Sequence, residues 1–269
     1  MIQRFSLFHR ITHGLIIVSF LGLVLTGMPL LYSHTRWGEV VYTLMGGYEM
    51  ARLIHRAGAL VTFLYAGLHL GWLLWRATRV GVKSLLWGPD SMVPQPRDFR
   101  DFWQDCRWLF GLGPRPAFER WTYWEKFDFW AIFWGIIVIG GSGLVLWFPA
   151  FLLRYFPPWL FHVALIVHSE EALLAASFIF TIHFFHSHLR PGKFPVDPVM
   201  FTGRVTEDEL AHERPLYYRR LQAQGDMEAL RVAPAPPLLE RLLPYIWVPP
   251  VAIGGLMLFL MIWGAVSVG

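Results

Sequence analysis

Two pairs of histidines lie inside apolar stretches at nearly equal spacing: His55 and His69 have 13 residues between them, His168 and His183 have 14. Helical rise would put the members of each pair roughly 21–22 Å apart, most of a hydrocarbon core of about 30 Å. At about 100° per residue they fall about 40° and about 60° apart around the helix axis. Each pair therefore addresses one side of its helix, with one member toward each membrane face. An imidazole in lipid must satisfy its ring nitrogens, so such residues are rare there unless they have a role. Seven of the 11 histidines occupy apolar segments or their immediate ends: His13, His55, His69, His168, His183, His186 and His188. Imidazole suits zinc and copper as well as iron, but no cysteine, and no carboxylate except Glu170 and Glu171, accompanies the pairs. One histidine from each of two helices is what axial ligation of a flat iron porphyrin needs. Two such sites stacked across a bilayer would carry electrons through it.

The elements that must position these residues are membrane helices. The chain is 55% hydrophobic, 17% aromatic and 16% charged, where a soluble domain carries about 25% charged residues. Apolar stretches long enough to span occur at 11–31, 52–75, 127–148, 159–186 and 245–264. The expected architecture is all-α, an integral membrane helical bundle with a four-helix haem-binding core and a fifth C-terminal transmembrane helix. Residues 1–190 form the expected di-haem domain, with loop 76–126; residues 191–243 form an arm and linker, and 244–269 the fifth helix. The first stretch is basic and then apolar, like a signal peptide, but it is too long and lacks a small-residue cleavage site. It is expected to stay as an anchor. The single Cys106 excludes an intrachain disulfide and a Cys-rich iron–sulfur site, and no Cys-x-x-Cys-His is present for covalent haem attachment.

Basic residues orient the bundle. Arg4 and Arg10, nine basic residues in 76–126 and eight in 187–243 make 19 on one side, against Arg36, Arg52, Arg56 and Arg154 on the other. The positive-inside rule puts the N-terminus in the cytoplasm and the C-terminus outside, in a bacterial inner membrane. Antiparallel helices then bring His55 and His168 to the outer side as one ligand pair. On the inner side His183 has His69, His13 and, less directly, His186 as candidate partners. Glycines at Gly14, Gly22, Gly27, Gly58, Gly67, Gly71, Gly135, Gly140, Gly141 and Gly143 leave room for a macrocycle or for close helix packing. Arg10, Arg52, Arg56 and Arg190 suit haem propionates or interfacial snorkelling. Glu170 and Glu171 lie just beyond His168, where a buried carboxylate must be neutral or paired; a tuning, proton-carrying or helix-bonding role is expected. In the first loop Phe99, Phe102, Trp103, Cys106, Leu109 and Phe110 fall at helical spacing, with Asp98, Arg100, Asp101, Asp105 and Arg107 facing away. That pattern suits an amphipathic helix on the inner leaflet or against a partner subunit.

The motifs Phe8-His9-Arg10-Ile11-Thr12-His13-Gly14, Arg52-Leu53-Ile54-His55-Arg56-Ala57-Gly58, Val167-His168-Ser169-Glu170-Glu171-Ala172 and Ile182-His183-Phe184-Phe185-His186-Ser187-His188 resemble a known family. It is the di-haem cytochrome b subunits of formate dehydrogenase and nickel–iron hydrogenase. The stretch Trp121-Thr122-Tyr123-Trp124-Glu125-Lys126-Phe127 is similar to a branch associated with multihaem c-type cytochromes. The resemblance covers about residues 4–220. It implies His13 with His183 at the inner haem and His55 with His168 at the outer one. His69 and the fifth helix depart from the formate dehydrogenase pattern; cytochrome b of bc complexes would favour His69 with His183, and a leftover pair would allow a third haem.

What the resemblance implies is the electron-transfer subunit of a quinone-linked oxidoreductase complex, with two b-type haems and a quinone or quinol near the inner one. Thr122, Tyr123, Glu125, Lys126 and Asp128 are the expected quinone-site residues, able to relay protons, or else ordinary interfacial charges. Expected partners are the lipid bilayer, the quinone pool and a periplasmic multihaem cytochrome c or iron–sulfur dehydrogenase subunit, with no nucleic acid. The competing class is a non-haem membrane anchor or transporter subunit, which predicts no chromophore.

Overall fold

The computed structural model describes residues 1–267. It is an all-α helical bundle with five helices long and apolar enough to cross a membrane: α1 (Leu7–Leu31), α2 (Tyr48–Val80), α3 (Tyr123–Trp147), α4 (Trp159–Leu189) and α5 (Pro237–Ser267). This is a multi-pass membrane protein. Each helix overruns the apolar stretch that marks it in the sequence at one end or both, because a helix continues into the interface after its hydrophobic run ends. The clearest case is α5. Pro237, whose fixed φ suits the first helical turn, starts it within the expected linker.

The chain divides into two compact units. One consists of Ile11–Gly67, Phe133–Asp197 and the chain from Arg241 onward. Its core is formed by Val24, Met28 and Tyr32 from or just after α1, Ala176 and Phe180 from α4, and Met257 and Met261 from α5. Close approach explains two glycines of α5. A Cβ on Gly254 would lie 2.6 Å from the rings of Phe180 and Phe184, and one on Gly264 would lie 2.6 Å from Tyr32. A wide π turn interrupts α3 at Ile136–Gly140, and two more interrupt α4 at Ile179–His183 and Phe185–Leu189. Such turns add a residue to the helical repeat and re-aim the face that follows. Val18, Leu64, Ile137, Ile166, Leu174 and Phe259 are exposed on the outside of these helices. In water that surface would drive aggregation; in a bilayer it meets acyl chains.

The other unit consists of Met1–Arg10, Leu68–Ile132 and Pro198–Glu240. Its strand β1 (Ile2–Gln3) pairs antiparallel with β2 (Arg204–Val205), Ile2 opposite Val205. Ile2, Val199, Val205, Leu210, Tyr217, Leu221 and Met227 close a small core. The segment expected as an arm and linker over 191–243 is therefore largely folded. Its polar composition hides the spaced apolar residues that build this core. Thr206 caps the helix Glu207–Glu213 by accepting from Glu209 N at 3.2 Å, and the helix Pro215–Gln224 ends at Gly225 with φ +75°. Arg4 donates to Arg120 O at 2.9 Å and pairs with Glu125 at 3.4 Å; burial pulls its guanidinium down to about 10, which Glu125 opposes.

Within the same unit the amphipathic helix Pro96–Leu109 is fastened at its start. Asp98 Oδ2 accepts from Gln95 N at 2.6 Å and from Lys126 Nζ at 2.8 Å. The Lys126 side chain is 1% exposed and that of Asp98 7%, so this is a buried ion pair. Farther along, Tyr123 donates its hydroxyl to Asp105 Oδ2 at 2.7 Å.

Candidate functional site

His55 of α2 and His168 of α4 face each other with ring centroids 6.1 Å apart and planes at 64°. Each ring is held from behind. Thr26 of α1 donates its hydroxyl to Gly22 O at 2.6 Å, which leaves its oxygen to accept from His55 Nδ1 at 2.8 Å. His168 Nδ1 lies 2.9 Å from the carbonyl of Ile139, inside the π turn of α3. A carbonyl can only accept, so the proton sits on Nδ1. Both rings then present Nε2, the tautomer suited to metal ligation, in an orientation set by the second nitrogen. Gly27 and Gly143 keep the rings' surroundings open: an added Cβ would lie 3.4 Å from His55 Cε1 and 3.0 Å from His168 Cε1 respectively.

These two residues fit a bis-imidazole metal site. A metal bound at about 2 Å by one nitrogen of each ring separates the ring centres by roughly 6 Å. Among the described residues no group of three or more His, Cys, Asp or Glu gathers to hold a metal ion. The pair supplies two ligands, and a planar macrocycle would complete the set.

His13 of α1 lies close enough to His183 and His188 of α4 to interact electrostatically. His183 is the last residue of the π turn Ile179–His183. His188 is buried, stacked on Trp247 at 5.7 Å and edge-on to Phe184 at 5.6 Å. His69 has other neighbours in its own unit: Phe8 at 6.3 Å, Trp72 at 5.4 Å and Phe129 at 5.4 Å. It also interacts with His9, whose Nδ1 is 2.7 Å from Ser6 Oγ. His186 meets the edge of Phe185 at 5.5 Å.

The residues expected at a quinone site hold the fold together. Thr122 N donates to Glu125 Oε2 at 2.8 Å and Glu125 N donates to Thr122 Oγ1 at 3.2 Å, a reciprocal cap on α3. Glu125 also pairs with Arg4 and, at 3.1 Å, with Arg214. Lys126 and Tyr123 are engaged by Asp98 and Asp105, while Asp128 is half-buried. Trp134 of α3 donates to Glu171 of α4 at 3.2 Å, so Glu171 bonds the neighbouring helix; Glu170 is exposed on the helix surface. Of the arginines considered for propionates, Arg10 donates to Phe201 O at 2.6 Å, Arg52 pairs with Glu49 and Arg190 lies 3.9 Å from Asp197. Arg56 lies over the Trp147 ring at 5.1 Å.

Sequence reasoning missed Thr26 and the Ile139 carbonyl. Thr26 carried a signal, a hydroxyl directly before a glycine in an apolar helix; a main-chain carbonyl carries none. No family model matches the chain, and no curated protein matches it.

Proposed function

We propose that this chain is a membrane cytochrome b subunit of a respiratory oxidoreductase complex, binding two b-type haems between its helices. The observation that carries the reading is the His55–His168 pair, with matched tautomers and a separation suited to one metal between them. Held by two imidazoles, a haem iron exchanges one electron without changing its ligands. The residues supply orientation through Thr26 and the Ile139 carbonyl, clearance at Gly27 and Gly143, and a water-poor apolar surround. For the inner haem we propose His13 and His183, supported by their proximity.

The family resemblance extends the proposal. Electrons pass between quinone or quinol near the inner, cytoplasmic haem and a periplasmic redox subunit, a multihaem cytochrome c or an iron–sulfur dehydrogenase subunit. The excess of basic residues in 76–126 and 187–243 supports a bacterial inner membrane with the N-terminus cytoplasmic and the C-terminus periplasmic. A pyridine haemochrome assay with a reduced-minus-oxidised spectrum tests the core of this reading. Two haems per chain are expected, three would assign a further pair such as His9 and His69, and a colourless protein would leave an anchor or transporter. Co-purification of neighbouring subunits identifies the partner.

A further inference from the structure

The helix Pro96–Leu109 leaves most of its apolar residues exposed. Two of its three acidic residues, Asp98 and Asp105, are turned inward, bonded to Lys126 and Tyr123, and the third, Asp101, is half-buried and interacts with Arg97, Arg100 and Lys126. Arg100 and Arg107 are exposed, as are Phe99, Trp103 and Phe110, the last three 73%, 66% and 80% accessible. Arg100, Gln104 and Arg107 follow one another at helical spacing, so they share a stripe beside Trp103. This stripe and the turn after the helix enclose a half-open pocket of about 220 Å³ lined by Arg100, Trp103, Gln104, Arg107, Gly113 and Pro114. The turn is held in place from the helix. Gln104 Nε2 donates to Pro114 O at 3.3 Å, and Arg107 Nη2 donates to Leu112 O at 3.1 Å.

We propose that this pocket takes the phosphate headgroup of an anionic phospholipid, with the exposed aromatic and aliphatic residues of the helix entering the same leaflet. Two guanidiniums on one wall provide planar, multidentate donors for phosphate oxygens, and Gln104 adds an amide. Trp103 at the rim suits the headgroup level, where an amphipathic ring keeps one edge wet. The buried Lys126–Asp98 pair and the Tyr123–Asp105 bond fix the helix to the start of membrane helix α3, so its face has a set rotation rather than an adjustable one. With Asp98 and Asp105 engaged inward and Asp101 half-buried, the exposed Arg100 and Arg107 leave positive charge on this face, which matches an anionic surface and not a zwitterionic one. This inference stands independently of haem binding.

Native mass spectrometry of the full chain in neutral detergent tests it, titrating with phosphatidylglycerol, phosphatidylcholine or inorganic phosphate. Phosphatidylglycerol is expected to be retained at least fivefold more tightly than phosphatidylcholine. The double substitution Arg100→Gln/Arg107→Gln is expected to remove that preference, while Arg219→Gln, at an exposed arginine elsewhere in the same unit, leaves it intact. Equal retention of the two lipids by the unchanged chain would overturn the proposal. So would an undiminished preference in the double variant, or displacement of the lipid by equimolar phosphate, which would make this a soluble-anion site. A circular-dichroism melt of the double variant, expected to match the parent, separates loss of the site from loss of the fold.

Discussion

Thr26 and His55 sit on different membrane helices, yet the threonine oxygen accepts the histidine's Nδ1 proton at 2.8 Å. The threonine can do so because its own proton goes back to Gly22 O, one turn earlier in α1. A side chain that elsewhere would only satisfy its own helix here fixes which nitrogen of a neighbouring ring faces the interior of the bundle.

Thr26→Val removes that acceptor and leaves the His55 N–H with the Leu23 carbonyl alone, a penalty of about 1 kcal/mol. Haem affinity at this site is expected to fall about tenfold or more, since outer-shell partners contribute on that scale. The midpoint potential of one haem should rise, because the lost hydrogen bond makes the imidazole less basic. Thr26→Ser should restore both. Redox potentiometry reads the result; an unchanged potential in the valine variant would remove Thr26 from the site.

Removing a ligand separates the candidate pairs. His55→Ala and His168→Ala should each lower the haem-to-protein ratio from two to one in the haemochrome assay. His13→Ala should do the same and His69→Ala should leave two, because His13 interacts electrostatically with His183 and His188 whereas the histidine that interacts with His69 is His9. A haem lost in His69→Ala and kept in His13→Ala would reverse the inner assignment.

The glycines of α3 give a paired comparison. A methyl at Gly143 would press on His168 at 3.0 Å, whereas at Gly141 it would meet nothing within 4 Å. Gly143→Ala should therefore release haem faster on heating, and Gly141→Ala should behave like the parent. Loss of absorbance during a thermal ramp distinguishes them.

Lys126→Met strands Asp98 in a buried position, with an expected cost of about 3–5 kcal/mol. Lys126→Met combined with Asp98→Asn should recover much of it, since both charges are then gone. Thermal unfolding in detergent measures the difference. Equal destabilisation of the single and double variants would mean that the charges are not coupled.

The parts of this molecule that follow from periodicity were legible in its sequence. The five apolar runs became five long helices, and antiparallel topology suggested the pairing of His55 with His168, whose rings lie 6.1 Å apart. What periodicity cannot express was lost. The Ile139 carbonyl depends on a π turn, which changes one hydrogen-bond register without changing composition. Thr122 and Glu125 look like redox-site residues when read as charges at a membrane edge, but their three-residue spacing is also that of a helix cap. The segment 203–243 reads as linker because charged residues run through it and prolines gather at Pro234, Pro236 and Pro237. Val205, Leu210, Tyr217, Leu221 and Met227 belong to the core, and their partner Ile2 lies far away in the sequence.

That partnership orders events during synthesis. The β1 edge at Ile2–Gln3 has no mate until Arg204–Val205 has been made, and by then α1 to α4 have all been translated. The first residues must wait, unpaired, through insertion of four helices before the layer they belong to can close. A nascent chain halted before residue 204 would hold α1 to α4 and both members of the His55–His168 pair, but not α5, and Ile2 would lack its strand partner. Closure of this small sheet thus becomes possible after α1 to α4 have been made and before α5 is complete.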